Sequence, residues 1–224
     1  MRSAAAVTDL PQDGLPEIAI VGRSNVGKST LINALVRGRL ARTGAAPGTT
    51  RLANIYRVSR GAAAPFYLVD LPGYGYARGG DAAVAFEKVA AAYFGRDRRD
   101  GVPALAAALL LVDSRHPGLQ RDTEAWSWLR QTVERSAVAA TKIDKLARGA
   151  RIRAMRELQS VFDVPVLPVS AVTGEGLDEL WKLIDKLVNS RNSNRAESTR
   201  RNLPSRATAP PPRGAPGTPS KASG

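Results

Sequence analysis

The chain has 224 residues, 33 Lys and Arg against 20 Asp and Glu, a formal charge of +13, and no cysteine. That length suits one domain of about 150–200 residues plus a tail, and 43% apolar residues supply a full core. Disulfides, thiolate metal sites and Cys nucleophiles are excluded; the longest apolar run, 104–112, is too short to span a bilayer, and Asp9 comes too early for a secretory segment. A cytoplasmic, basic monomer without stable membrane insertion is the expectation. Residues 1–15 read as a flexible N-terminus.

From Glu17 the elements alternate. Glu17–Val21 is short, β-branched and followed by Gly22, a buried strand. Leu31, Leu35 and Val36 recur at helical spacing after Ser29-Thr30. Strands are predicted at 52–59 and 66–69, an Ala-rich helix at 82–94, a strand at 105–112 and a helix at 123–131. A strand at 136–140, a helix at 147–161, a strand at 165–169 and a helix at 177–188 complete the domain. Strands apolar on both faces, alternating with helices, predict an α/β fold with a mostly parallel sheet and helices on both sides. Ligands of such sheets bind outside the carboxyl ends of the strands.

Residues 190–224 hold Arg191, Arg195, Arg200, Arg201, Arg206, Arg213 and Lys221 against Glu197, together with six prolines. This segment has too little apolar area to offset its ordering entropy and reads as a disordered tail. A basic tail beside a basic body points to a polyanionic partner, nucleic acid or an anionic membrane; a merely solubilising terminus is the plainer alternative. Trp126, Trp128 and Trp181 fall in predicted helices and read as packing residues.

Gly22-Arg23-Ser24-Asn25-Val26-Gly27-Lys28-Ser29 matches the phosphate-loop pattern in full, directly after a strand and opening a helix. The glycines let successive N–H groups turn inward toward phosphates, at the positive end of a helix that continues through Thr30. Lys28 would reach the β and γ oxygens, and Ser29 would offer its hydroxyl to Mg2+. Asp70 closes the strand 66–70 and leads into Leu71-Pro72-Gly73. In that Asp-x-x-Gly arrangement the carboxylate faces the metal and the Gly73 N–H approaches the γ-phosphate.

Thr141-Lys142-Ile143-Asp144 follows the strand 136–140. A carboxylate there accepts from both N1–H and the 2-amino group of guanine, donors that adenine lacks, so Asp144 is the specificity candidate. The stem of Lys142 would lie on the base face. The next strand ends at Val169, and a backbone N–H of the Ser170-Ala171 that follows would meet guanine O6.

In their order and spacing these motifs, with Pro47-Gly48-Thr49-Thr50, resemble the translation-factor-like GTPases. The resemblance is closest to the bacterial EngB group of ribosome-biogenesis GTP-binding proteins, through Gly22–Ser29, Asp70-Leu-Pro-Gly-Tyr-Gly-Tyr-Ala77, Val112-Asp-Ser-Arg-His-Pro117 and Thr141–Lys145. It covers residues 16–189. It implies a three-layer domain built on a six-stranded, mostly parallel sheet with one antiparallel edge strand. Thr50 aligns with the Mg2+-binding threonine of the first switch, with Thr49 as the other candidate. Arg51 stands where the group commonly has Gln, and Thr141 stands where most GTPases have Asn, as is usual for this group.

The resemblance also implies a mechanism and a role. Lys28, Thr50, Gly73 and Asn25 are the expected catalytic set. Tyr74 replaces the glutamine with which many GTPases orient the attacking water, so slow hydrolysis is expected, accelerated by a partner or by K+. Asn25 aligns with an asparagine that helps to hold K+ in related GTPases; a loop-stabilising amide is the alternative. The implied function is a GTP/GDP switch in maturation of the large ribosomal subunit, with its precursor rRNA and proteins as partners, needed for normal cell division and septation. The alternative is a nucleotide-dependent protein-interaction switch in division without RNA docking.

Overall fold

The computed structural model describes residues 2–4, 11, 13–38, 53–74, 90–95 and 105–201, the side chains of 2–4 and 190–201 excepted. Its strands are Arg2–Ala4 (β1), Glu17–Gly22 (β2), Ala53–Val58 (β3), Phe66–Asp70 (β4), Leu105–Asp113 (β5), Ser136–Thr141 (β6) and Val166–Pro168 (β7). Its helices are Lys28–Leu35 (α1), Gln120–Thr132 (α2), Arg148–Phe162 (α3) and Leu177–Arg201 (α4), with a 3-10 turn at Ile143–Lys145 and helical residues at 90–94.

The sheet order is β1-β3-β4-β2-β5-β6-β7. Strands β4, β2, β5, β6 and β7 are parallel, and β3 runs antiparallel to β4. The six expected strands are therefore present with one of them antiparallel. Strand β2 is buried throughout because both its faces are covered: Ala19 and Val21 enter one apolar cluster, Ile18 and Ile20 the other. The first cluster receives Trp126 and Leu129 of α2 and Leu158 and Phe162 of α3. The second receives Leu31, Ile32 and Leu35 of α1 with Leu180 and Ile184 of α4. Truncating the fully buried Leu110 of β5 to Ala would cost ~2–5 kcal/mol, because the packed surroundings collapse only in part.

The tryptophans pack as their helical positions predict. Trp126 Nε1 donates to the Phe162 carbonyl at 3.0 Å, and their rings meet edge to face. Trp128 meets Phe94, while Trp181 meets Phe66 and carries the Arg60 guanidinium 4.1 Å above its ring.

Two expectations about the ends of the chain are corrected. Within the supposedly flexible first fifteen residues, Arg2–Ala4 pairs antiparallel with 53–55 of β3. This strand covers the edge that β3 would otherwise present with open backbone groups. At the other end, α4 continues to Arg201 instead of giving way to an unstructured tail at 190. Residues 190–201 contain neither Pro nor Gly, and a helix already nucleated extends at one hydrogen bond per residue fixed. Most of the predicted 82–94 helix, all of 47–51 and residues 202–224 lie outside the described residues.

Candidate functional site

Every strand of the parallel set ends at or just before a residue of the predicted motifs or their partners, on one edge of the sheet. Strand β2 ends at Gly22, β4 at Asp70, β5 at Asp113 and β6 at Thr141, and Ser170 lies two residues beyond β7. Register places Ile20 beside both Asp70 and Leu109, and Asp113 beside Thr141.

The phosphate loop turns on two left-handed residues, Asn25 (φ 63°) and Gly27 (φ 106°), before Lys28 opens α1. The Gly27 carbonyl accepts the first helical bond, from Leu31 N–H at 2.8 Å. Lys28 Nζ donates to the Gly22 carbonyl at 3.0 Å and reaches the Arg23 carbonyl at 3.5 Å. Burial lowers the Lys28 pKa, and the nearby Asp70 carboxylate pulls it back upward.

Asp70 is buried, and burial pushes its pKa up to about 6 against the opposing pull of Lys28. Its Oδ1 has no hydrogen-bond partner among the described residues. An anionic oxygen desolvated and left unpaired is costly unless a cation meets it. The donor set of Asp70 and the Ser29 hydroxyl is all oxygen, which suits a hard ion such as Mg2+.

Gly73 brings Asp-x-x-Gly against the phosphate loop. A Cβ at this position would stand 2.8 Å from both Ser24 N and Ser24 Oγ and 2.9 Å from Lys28 Nζ, so no side chain fits without moving the loop. Ser24 N–H donates to the Tyr74 carbonyl at 3.0 Å, and Ser24 Oγ–H reaches the Gly73 carbonyl at 3.4 Å. Tyr74 itself is buried, and its hydroxyl donates to Asp122 Oδ1 of α2 at 2.8 Å. Burial and the Asp122 charge both raise the Tyr74 pKa, so the phenol stays protonated as a donor.

The base motif is tied to the same loop. Thr141 Oγ1–H has two carbonyls within reach, Val26 O at 2.7 Å and Val112 O at 3.1 Å, so the residue that replaces Asn fastens the loop to β5 and β6. Lys142 adopts a left-handed conformation (φ 61°), and its Nζ donates to the Asn25 carbonyl and to Asp113 Oδ2. Asp144 Oδ1 accepts from Ser170 Oγ at 2.7 Å, and that bond holds its carboxyl below the usual range. Ser170 Oγ in turn accepts from the N–H groups of Val172 and Thr173, which fixes the loop after β7.

Among the other predicted residues, Leu71, Ile143 and Val169 are buried and their side chains belong to the core. Arg23 and Pro72 are half-buried, Thr30 is exposed, and Ala171 packs on the second cluster. Pro47, Gly48, Thr49 and Thr50 lie outside the described residues, so Ser29 and Asp70 are the members of the expected metal set that can be described.

Asp113, within the Val112–Pro117 stretch, is a site residue whose role the sequence does not state. It is buried and accepts from Arg115 N–H, Nε and Nη2 as well as from Lys142 Nζ. Burial favours its neutral form, but the bonds from Arg115 and Lys142 outweigh this and hold the carboxyl well below the ordinary range. The available signal was its position: like Asp70, it closes an apolar strand. Asp122, just before the predicted helix 123–131, carries no local signal; its role comes from the Tyr74 hydroxyl, 48 positions earlier in the chain.

The chain matches the model of a family described as 50S ribosome-binding GTPases over residues 17–142. The "probable GTP-binding protein EngB" of Pelotomaculum thermopropionicum is 40% identical over 194 residues, covering 84% of this chain and 93% of the relative. The protein of the same description from Alkaliphilus metalliredigens is 36% identical over 193 residues, covering 84% and 88%. A crystal structure of a probable GTP-binding protein engB shares the fold, with a TM-score of 0.57 at 22% identity, covering 78% of this chain and 99% of that one. Era, solved with MgGDPNP and nucleotides 1506–1542 of 16S ribosomal RNA, superposes with a TM-score of 0.63 at 25% identity, covering 77% of this chain and 56% of Era. Identity of this order, sustained over nearly the whole length of the relatives and agreeing with the edge-of-sheet geometry, shows that the chain belongs to the EngB family of GTP-binding proteins and is a GTPase.

Proposed function

We propose that the chain is a slow GTP-hydrolysing switch in assembly of the large ribosomal subunit, working in the cytoplasm, with cell division and septation depending on that assembly. In this reading residues 22–30 enclose the phosphates and Lys28 neutralises the β and γ oxygens. Asp144 accepts from N1–H and the 2-amino group of guanine, the Lys142 stem covers the base, and Ser170-Ala171 offers an N–H to O6. Leu71-Pro72-Gly73 approaches the γ-phosphate, and 47–50 supplies the first switch with Thr50.

Ser29 and Asp70, joined by Thr50, would hold Mg2+, which supplies charge neutralisation at the oxygens of the breaking bond. Water adds to the γ-phosphorus as its bond to the bridging oxygen breaks, releasing GDP and phosphate. The observation that carries the reading is the joining of four motifs: Gly73 against Ser24 and Lys28, Thr141 bonded to Val26, and Asp144 bonded to Ser170. Slow turnover is supported by Tyr74, which stands in place of a water-orienting glutamine and whose hydroxyl donates to Asp122.

The ribosomal role rests on the +13 charge, on the description of the matching family and on the rRNA bound by Era. No helix among the described residues is long and apolar enough to cross a membrane. Co-sedimentation with isolated ribosomal subunits tests the role. Association with the large subunit in the presence of a GTP analogue, weakened by GDP, is the expected result. Co-migration with neither subunit in either state would overturn it.

A further inference from the structure

Helix α3 follows the base motif and lies on the α2 side of the sheet. It buries Ala154, Leu158 and Phe162 and exposes Arg148, Ile152, Arg153 and Arg156. Arg148, Ile152 and Arg156 follow one another at i, i+4 spacing along a single ridge. Arg153 folds back along the same side, with Nη1 lying 3.6 Å from where a Cβ on Gly149 would be.

Among the described residues no hydrogen bond engages these three guanidiniums. Among the described residues none of them forms an ion pair, whereas Arg151 on the same helix is paired with Glu175 and Arg60 with Asp185. At the first position of the helix, Arg148 adds positive charge where the helix dipole is already positive, and no acid in the first turn offsets it. Glu157, the one acid of α3, stands by Gly118 on the α2 side.

Three guanidiniums gathered on one exposed face and unpaired among the described residues are complementary to an outside polyanion. The geometry points to this face of α3, Arg148, Arg153 and Arg156 with Ile152 between them, as the surface that docks on the phosphate backbone of RNA. The proposal rests on the ribosomal reading above and supplies its contact surface. Guanidinium forks match phosphate oxygens two at a time, and phosphate contacts of this kind position a protein without reading sequence. A lipid surface fits less well. An interfacial helix must offer a broad apolar face, and the bulky apolar residues of α3 are largely spent on the core, with Ile152 alone amid the arginines.

The test is fluorescence anisotropy of a labelled RNA hairpin with the full chain over a range of KCl concentrations. The variants are R148A/R153A/R156A and the charge-preserving R148K/R153K/R156K. The Ala variant is expected to lower the slope of log affinity against log salt by about 2–3 and to weaken binding by about tenfold to a hundredfold near physiological salt. The Lys variant keeps the slope, and both keep GDP affinity, which reports that the domain is folded. An unchanged slope and affinity in the Ala variant would overturn the surface while leaving an RNA partner standing. Wild-type protein that binds neither hairpin nor subunits would overturn both. Arginine-dependent binding to phosphatidylserine–phosphatidylcholine vesicles without RNA binding would assign the face to a membrane instead.

Discussion

Asp113 Oδ2 accepts a hydrogen bond from Lys142 Nζ at 2.9 Å, so an acid at the end of one strand holds the lysine that follows the next. Lys142 has a strained left-handed backbone, and its ammonium also reaches the Asn25 carbonyl of the phosphate loop. Removing the acid leaves two cations, Arg115 and Lys142, without their shared partner. Asp113→Asn should therefore weaken GDP binding by about tenfold, ~1.4 kcal/mol. Calorimetric titration checks this, and an unchanged affinity would show that Lys142 needs no such support.

Gly73 tests the closeness of the two phosphate motifs. Gly73→Ala inserts a methyl 2.8 Å from Ser24 N and 2.9 Å from Lys28 Nζ, closer than any Cβ stands to neighbouring atoms. The loop must move, and because Lys28 is displaced with it, triphosphate should suffer more than diphosphate. Affinity for a non-hydrolysable GTP analogue should fall at least about tenfold more than affinity for GDP, since charge-assisted bonds to phosphate depend steeply on geometry. Equal losses for the two ligands would remove this explanation.

The Asp70 carboxyl, pushed up to about 6 from 3.8, gives a pH signature in the metal-free protein. Between these values the folded state binds more protons than the unfolded state, so the contribution of Asp70 to stability is present below the lower value and is lost as pH rises through the upper one. Wild-type stability relative to Asp70→Asn should therefore fall from about pH 4 to about pH 7, by on the order of 3 kcal/mol. Urea unfolding at both pH values reads the difference, and a constant gap would mean that burial does not shift this group. The same variant should lose the magnesium dependence of nucleotide binding.

Potassium activation separates two readings of Asn25, which is exposed in the phosphate loop. Steady-state hydrolysis should be faster in KCl than in NaCl at equal ionic strength, and Asn25→Ala should abolish the difference. Equal rates for the wild type in the two salts would leave Asn25 as a loop amide.

How far the sequence spoke for itself depended on whether the deciding forces were local. Gly22–Ser29 was legible because its chemistry needs consecutive residues in one turn. Asp70 was legible because strand, acid and Pro-Gly adjoin. The partner of Tyr74 was not, since Asp122 lies 48 positions away and is brought up only when α2 packs on the sheet. Nor was the work of Thr141, whose hydroxyl meets Val26, 115 positions earlier. The edge strand Arg2–Ala4 escaped because three residues of weak pattern carry no periodic signal, and its pairing depends on the open edge of β3. The continuation of α4 to Arg201 escaped because composition describes an isolated segment, whereas this one is attached to a formed helix.

Guanine recognition rests on Asp144, the carboxylate held by Ser170 at 2.7 Å. Calorimetric titration of wild type and Asp144→Asn with GDP, XDP and ADP is the decisive measurement. The wild type should bind GDP and reject ADP, and the variant should exchange GDP for XDP, because an amide donor complements the extra carbonyl of xanthine. A variant that keeps its affinity for GDP, or a wild type that takes ADP equally well, would contradict the assignment of this edge of the sheet to a guanine nucleotide.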